Sequence, residues 1–286
     1  MMNEETRSVW IADSPIADFD RAYDNGAAVQ GSEAFSPHWA EAAARFRDQL
    51  PAKGRAEIGT PYGPRPRQHY DLFRPQDSAK GLVVFVHGGY WHRQSISNFS
   101  HLSAGALSRG FAVAVPEYTL CPEATISEIT QEIAAFLGEM AGRVDGPIRL
   151  SGHSAGGHLV SRMICRDIGL SHELAARIDR VASISGVHDL RPLLRTKMNA
   201  VLKLDEGQAR AESPALLEPR ENADLFCVTG GAELSEFRRQ NALLANVWCG
   251  LGARVSCFER PGKHHFDIID DLVDADSRLV RYLTEL

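Results

Sequence analysis

Long apolar runs are missing from this chain of 286 residues. Its most apolar stretches, residues 81–86 and 110–116, are far shorter than the ~20 residues that a membrane-spanning helix needs. The first seven residues are polar and acidic and lack the apolar centre of a secretory signal. We therefore expect a protein that neither enters a membrane nor is secreted, and we expect it in the cytoplasm.

Cysteine is scarce and positive charge is not in excess. The five cysteines are odd in number and show no CxxC spacing, which argues against a disulfide framework or a zinc site. Acidic residues outnumber basic ones by 37 to 31, and both signs are scattered along the chain. No electrostatic footprint for nucleic acid or an anionic membrane is visible. A small molecule is the expected partner, and the sequence decides nothing between a monomer and a homodimer.

Short apolar runs alternate with longer amphipathic stretches. The run at residues 82–86 is apolar throughout, which indicates a strand buried on both faces, as in a parallel sheet covered by helices. Further strands are expected at 69–73, 112–115, 148–151, 181–185, 225–229 and 255–258, and helices at 125–140, 156–168 and 237–251. This order predicts an α/β fold with a mostly parallel, doubly wound sheet flanked by helices.

The N-terminal region reads differently from the rest. Aromatic residues are interleaved there with charged residues and alanine in helix-forming sequence: Tyr23, Phe35, Trp39 and Phe46. Residues 59–66 carry three prolines and two glycines, which predict a break in regular structure. We expect a single domain over residues 1–286, with residues 1–55 as a helical cap segment and residues 56–286 as the core.

Ser154 lies in a sequence that reads as strand, tight turn and helix. The segment Gly152-His-Ser-Ala-Gly156 fits G-x-S-x-G, the nucleophile elbow, in which flanking glycines allow a strained serine to stand at the strand end. The pattern also occurs by chance, and a glycine-rich turn can serve close packing alone. Taken by itself, the segment does not separate these two interpretations.

A second element favours catalysis. His87-Gly-Gly-Tyr-Trp91 follows another apolar strand and resembles the oxyanion-hole loop of lipases and esterases. Gly88 and Gly89 leave the backbone N–H groups accessible, and together with the N–H of Ala155 they would bind a tetrahedral oxyanion. His87 is expected to organise this loop. Tyr90 and Trp91 either line a substrate pocket or pack the cap against the core.

The base and the acid are expected after the serine, in the order carboxylate then histidine. His264 and His265 follow the strand at 255–258 across a Pro-Gly turn; spacing does not separate them, and we favour His265. Glu233 is the nearest carboxylate after the strand at 225–229, with Asp189 as the alternative. Glu236 is expected to satisfy donors at a helix start.

Several of these segments resemble the kynurenine formamidase (arylformamidase)-like branch of the α/β-hydrolases, which is related to the hormone-sensitive-lipase esterases. The resemblance covers nearly the whole chain. It is carried by residues 87–91, 152–156 and 189–199, by Glu212-Ser-Pro214, and by residues 233–240, which are similar to the family's Asp-Ser-x-Glu-Phe-x-x-Gln. Glu233 stands where the family has aspartate. The phenylalanine after His265 matches the family's catalytic histidine, and Tyr23-Asp-Asn25 fits its N-terminal region.

The resemblance implies hydrolysis of an aryl formamide or small ester, with neither metal nor cofactor, by acylation of Ser154 and then attack of water. A short-chain carboxylesterase or thioesterase is the alternative. A non-catalytic binding protein on the same fold is a more remote one, because such a protein would need no nucleophile, base or oxyanion glycines.

Overall fold

The computed structural model describes residues 15–50 and 55–285. Its strands are β1 (Ala56–Pro61), β2 (His69–Phe73), β3 (Leu82–Val86), β4 (Ala112–Pro116), β5 (Ile148–His153), β6 (Ile178–Ile184), β7 (Asp224–Gly230) and β8 (Arg254–Arg260). Residues 1–14 and 51–54 of the expected cap segment lie outside the described residues.

The α-helices are α1 (Phe19–Ala22), α2 (Asn25–Ala28), α3 (Phe35–Gln49), α4 (Ala104–Ser108), α5 (Ile126–Ala141), α6 (Ala155–Arg162), α7 (His172–Arg177), α8 (Asn199–Leu202), α9 (Glu206–Ala211), α10 (Ser235–Gly250) and α11 (Arg278–Thr284). Short 3-10 helices cover Ser32–Ala34, Ile96–Asn98, Ser100–Ser103, Arg166–Ile168, Arg191–Arg195, Pro214–Leu216 and Ile268–Leu272. Among the described residues, no helix has the length and apolar character needed to cross a membrane.

The strands form one sheet in the order β1-β2-β4-β3-β5-β6-β7-β8. β2 pairs antiparallel with β1 and with β4, whereas every pair from β4 to β8 is parallel. The predicted mostly parallel sheet flanked by helices is therefore confirmed.

Side chains alternate between two apolar layers, one on each face of the sheet. Val84 of β3 belongs to the layer that contains Leu159 of α6, while its neighbour Phe85 belongs to the layer that contains Trp39 of α3. Because successive strand residues point to opposite faces, apolar residues are favoured at every position of a strand that is covered on both faces. That preference accounts for the uninterrupted apolar sequence of β3.

Two elements have other bounds than expected. The break expected over residues 59–66 begins only after Pro61, because β1 continues to that residue as the edge strand of the sheet, and residues 62–68 then lie outside regular structure. An edge strand tolerates proline, and the register shift between Glu57 and Thr60, where Gly59 has φ +66°, is a bulge that glycine permits. The helix expected at 156–168 ends at Arg162, after which Cys165 forms a β-bridge with Pro219.

The N-terminal segment packs, through α3, into the apolar layer on one face of the sheet. Trp39 of α3 contacts the rings of Phe99 and Phe266, and Phe35 stacks on Phe266 with ring centroids 5.3 Å apart. Phe266 directly follows His265 in the chain. Helix α3 thus supports the loop after β8 that carries the candidate base.

Candidate active site

Ser154 lies between the end of β5 and the start of α6, with φ 55° and ψ −116°. A non-glycine residue with positive φ is strained, and such strain is found at functional turns. Close packing enforces the turn: a Cβ on Gly156 would lie 1.9 Å from the carbonyl oxygen of Val86, and one on Gly152 would lie 2.2 Å from that of Gly156. Only glycine fits at these two positions, so the sequence pattern and the strand–turn–helix geometry agree.

His265 and Glu233 meet at the carboxyl edge of the sheet. The Nδ1 atom of His265 lies 2.7 Å from Oε2 of Glu233, and both residues are buried. Since Glu233 follows β7 and His265 follows β8, the parallel pairing of these two strands brings the two side chains to the same edge. The structure therefore joins the favoured histidine to the favoured carboxylate.

The other carboxylate oxygen of Glu233 is held by three donors. Its Oε1 accepts hydrogen bonds from Ser185 Oγ at 2.5 Å, Thr229 Oγ1 at 3.0 Å and the Gly230 backbone N–H at 2.7 Å. Burial disfavours the carboxylate, but the interaction with His265 and these hydrogen bonds outweigh it and lower the pKa of Glu233. Glu233 is thus an ionised, fixed acceptor for the His265 ring.

His153, the residue before the serine, ties the His265 loop to the elbow. Its Nε2 donates to the backbone carbonyl of His265 at 2.9 Å, and the two rings lie 4.6 Å apart. Burial, followed by the nearby His265, lowers the pKa of His153 to about 3, so the ring is a neutral donor. Ser154 is buried, and its Oγ makes no hydrogen bond with any other described residue.

The loop after β3 lies against the elbow. A Cβ on Gly88 would lie 2.8 Å from the carbonyl oxygen of His153 and 3.0 Å from Cβ of Ser154. Gly89 has φ 108°, and its carbonyl accepts the backbone N–H groups of His92 and Arg93 at 3.1 and 2.9 Å. This close approach brings the backbone of Gly88 to the serine that was expected to share an oxyanion hole with it.

His87 is fixed within the core. Its Nε2 lies 2.9 Å from Oε1 of Glu117, and its ring is stacked between those of Tyr118 and Phe99, with centroids at 4.3 and 5.8 Å. Arg67 donates to the same Glu117 oxygen at 2.7 Å. A histidine held in this way anchors the start of the loop.

Tyr90 and Trp91 both contact other parts of the protein, but at different places. Trp91 is fully buried, with its ring edge-on to that of His158 on α6 at 5.1 Å. Tyr90 is half-buried and faces the N-terminal segment: its hydroxyl donates to the Tyr23 carbonyl at 2.5 Å and accepts from Asn25 Nδ2 at 3.1 Å. In the structure, therefore, both aromatic side chains make packing contacts.

Comparison with known proteins assigns the chain to a family. Residues 70–220, which include β2 to α9 and the elbow, match the BD-FAE family. The chain belongs to the BD-FAE family.

The relatives of this BD-FAE-family chain are hydrolases. It is 27% identical to the kynurenine formamidase of Salmo salar over 249 residues, covering 82% of this chain and 84% of the relative. It is 27% identical to the kynurenine formamidase of Drosophila melanogaster, covering 77% and 78%. A solved structure from Silicibacter sp. TM1040, provisionally assigned as a thioesterase, is 45% identical with a TM-score of 0.88 and covers 93% of this chain and 99% of its own. The resemblance to the formamidase and esterase branch is confirmed, and the chain is a hydrolase with the α/β-hydrolase fold.

The alternative residues have other partners. Asp189 forms a two-point ion pair with Arg191, with both N–O distances 2.8 Å, and does not contact His265. His264 lies 3.1 Å from Asp267, and its ring packs edge-on against Phe35. In this member of the BD-FAE family, Glu233 after β7, and not Asp189, is therefore the carboxylate that contacts His265.

Glu236 does more than satisfy backbone donors at the start of a helix. It lies in the first turn of α10, where it accepts the hydroxyl of Tyr23 at 2.6 Å and pairs with Arg239 at 2.7 Å. Gln240, one turn later, donates to both Tyr23 and Glu236. The N-terminal segment is therefore bonded to α10 within the core.

Sequence reasoning missed several residues of the site. His153 is the first variable position of G-x-S-x-G, Ser185 directly follows β6, and Thr229 is the next-to-last residue of β7. Polar residues at those strand ends were a usable signal, because the carboxyl ends of parallel strands converge.

Among the described residues, no group of three or more histidine, cysteine or acidic side chains is arranged to hold a metal ion.

Proposed function

We propose that this chain is an arylformamidase-like serine hydrolase that removes a small acyl group from an aromatic amine through an acyl-enzyme on Ser154. The observation that carries the proposal is the buried pair of Glu233 and His265, tied by His153 to the elbow that presents Ser154. The kynurenine formamidases, matched over about four-fifths of the chain, supply the substrate class.

In the first half-reaction, Ser154 Oγ attacks the carbonyl carbon while its proton passes to Nε2 of His265. Nδ1–H of the same ring donates to Glu233, which fixes the tautomer and stabilises the imidazolium. The oxyanion of the tetrahedral intermediate accepts backbone N–H groups from Gly88, Gly89 and Ala155. Collapse of the intermediate breaks the C–N bond, and the leaving amine takes the proton from His265.

In the second half-reaction, water attacks the ester that now links the acyl group to Ser154. His265 Nε2 takes a proton from this water and then returns it to Ser154 Oγ as the carboxylic acid leaves. The N–H of Ala155 opens α6, so the positive end of that helix adds to the stabilisation of the oxyanion in both steps. Each donor of such a hole contributes about 3 kcal/mol to lowering the barrier.

The surroundings of the site support a small acyl group. Ser154 is 1% exposed and His265 is 4% exposed. Aromatic rings line this region: Phe237 lies 4.5 Å from the His265 ring and contacts Tyr23 and Tyr90. Rings of this kind favour an aromatic leaving group, and close packing disfavours a long acyl chain.

A short-chain thioesterase or carboxylesterase is the second candidate. It is favoured by the 45% identical structure that is provisionally assigned as a thioesterase, because that protein aligns along almost its whole length. Both candidates use the same acyl-enzyme, and they differ in the leaving group.

The substrate class is tested with a panel of N-formylkynurenine, p-nitrophenyl acetate, butyrate and octanoate, and acetyl-CoA. We expect the highest kcat/KM with the formamide, activity on acetate and butyrate esters, and at least about tenfold less on octanoate. Ser154→Ala, the matched control, should abolish all of these activities. Acetyl-CoA turnover above that of the formamide would favour the thioesterase, and octanoate turnover equal to that of acetate would contradict a small acyl pocket.

A further inference from the structure

The loop that carries the candidate oxyanion donors has an unusual backbone. Three consecutive residues, Gly89, Tyr90 and Trp91, have positive φ values of 108°, 51° and 58°. Glycine adopts such values freely, whereas aromatic residues rarely do, because the Cβ atom approaches the following carbonyl oxygen. A conformation of this kind persists only where surrounding contacts hold it.

One of these contacts comes from the core. Trp91 is fully buried against His158, and its backbone carbonyl accepts the N–H of Cys121 at 2.8 Å. This anchor fixes the downstream end of the strained segment. Tyr90, the residue next to Gly89, is held by separate contacts.

The N-terminal segment supplies that second anchor. The Tyr90 hydroxyl donates to the carbonyl of Tyr23 at 2.5 Å and accepts from the side-chain amide of Asn25 at 3.1 Å. Neither the Tyr23 nor the Asn25 side chain is more than 4% exposed, so these bonds are shielded from water. We call Tyr23, Asn25 and Tyr90 the N-terminal clamp.

Tyr23 of the clamp is held by further contacts. The Tyr23 hydroxyl donates to Glu236 at 2.6 Å and accepts from Gln240 at 3.1 Å, and its ring packs edge-on against Phe237 at 6.0 Å. Phe237 in turn contacts the His265 ring. Tyr23, whose carbonyl accepts the Tyr90 hydroxyl, therefore belongs to a buried hydrogen-bonded network.

We infer that the N-terminal clamp is a positioning device for the oxyanion hole: Tyr90 and Asn25 hold the strained loop so that the amides of Gly88 and Gly89 point at the oxyanion. The inference rests on the proposed function of Ser154. The clamp residues touch neither the nucleophile nor the acyl carbon, so they are positioning residues rather than catalytic ones.

This role predicts a specific kinetic signature. The amides donate to a fully charged oxygen only in the transition state and the tetrahedral intermediate, so a loop that loses its position lowers kcat and leaves KM nearly unchanged. In Tyr90→Phe the base keeps its contacts, because Glu233 and His153 still hold His265 and the ring at position 90 that packs on Phe237 is retained. The acid limb of the kcat/KM profile against pH should therefore stay where it is in the wild type.

The test compares Tyr90→Phe, Asn25→Leu and the double variant with Tyr282→Phe as the matched control. Tyr282 is a half-buried tyrosine whose hydroxyl donates to Asp224 at 2.8 Å, at the amino end of β7. With p-nitrophenyl acetate we expect kcat to fall about tenfold in Tyr90→Phe and about threefold in Asn25→Leu, with KM within about twofold. The double variant should be no slower than Tyr90→Phe, and Tyr282→Phe should match the wild type.

Inactivation by a fluorophosphonate is measured beside turnover, because its phosphoryl oxygen needs the same amides. The inference is overturned if kcat and the inactivation rate of Tyr90→Phe stay within about twofold of wild type, or if the pH limb moves with the loss. Should Tyr90→Phe not fold, an Asn25→Leu variant with wild-type kcat overturns it alone. If wild-type protein neither hydrolyses the ester nor reacts with the phosphonate, the proposed function fails, which is a distinguishable result.

Discussion

Glu233 and Asp189 are both buried carboxylates that follow neighbouring strands, but their partners differ. Asp189 is neutralised by Arg191, whereas Glu233 faces an imidazole on one side and three donors on the other. Glutamate is one methylene longer than the aspartate of the resembling family. Its contact with His265 at 2.7 Å indicates that the turn after β7 accommodates the extra length.

We predict that Glu233→Gln lowers kcat by about 10³- to 10⁴-fold, because the His265 ring loses the charge that orients and stabilises it. Steady-state kinetics with the best ester of the panel measures this loss. Asp189→Asn is the matched control, since it also removes a buried carboxylate beside the same sheet edge, and its kcat should stay within about threefold of wild type. The assignment of the acid is wrong if the two variants exchange these outcomes.

The loop at residues 87–91 is held by Glu117, a charged residue that takes no part in the proposed reaction. Burial would raise the pKa of Glu117, but His87 and Arg67 outweigh it and lower that pKa to about 2. Glu117 also accepts the backbone N–H of Ile96 at 3.1 Å. This carboxylate therefore anchors the first residue of the loop as well as the chain that follows the loop.

A pKa below the unfolded value of 4.5 means that ionised Glu117 stabilises the fold above about pH 4.5 and that this contribution disappears as the pH falls toward 2. Urea unfolding at pH 7, 4.5 and 3 should show Glu117→Gln destabilised at pH 7 and converging on the wild type at low pH.

Glu123→Gln, which removes an exposed carboxylate a few residues later, is the control and should follow the wild type at every pH. A constant difference between Glu117→Gln and wild type from pH 7 to 3 would mean that Glu117 acts through packing rather than through its charge.

At the scale of the whole molecule, the sequence predicted the parts of the fold that depend on local pattern. Strand β3 was placed at its observed bounds, because burial on both faces favours an unbroken apolar run, and β2 was also placed at its observed bounds although it contains Asp71. The elbow was predictable because its glycines are required by contacts within a few residues of Ser154 and with the neighbouring strand. Strand β1 was not, because a bulged edge strand can contain the glycine and proline that elsewhere end a strand.

Contacts between distant parts of the chain were beyond local pattern. Asn25 and its partner Tyr90 are 65 residues apart in the chain, and Tyr23 and its partner Glu236 are 213 residues apart. Nothing in the sequence near Tyr23 or Asn25 indicates these partners. The family resemblance indicated that residues 23–25 match the family's N-terminal region, but it predicted none of the contacts that these residues make. Such bonds become visible only when the fold brings the N-terminal segment over the carboxyl edge of the sheet.

Ser154 is expected to become covalently acylated during turnover. The most direct measurement is intact-protein mass spectrometry after treatment with a fluorophosphonate, followed by peptide mapping of the modified residue. We predict one adduct per chain on Ser154, none in Ser154→Ala, and a markedly slower reaction in Glu233→Gln. An adduct on another residue, or none on folded wild-type protein, would contradict the account.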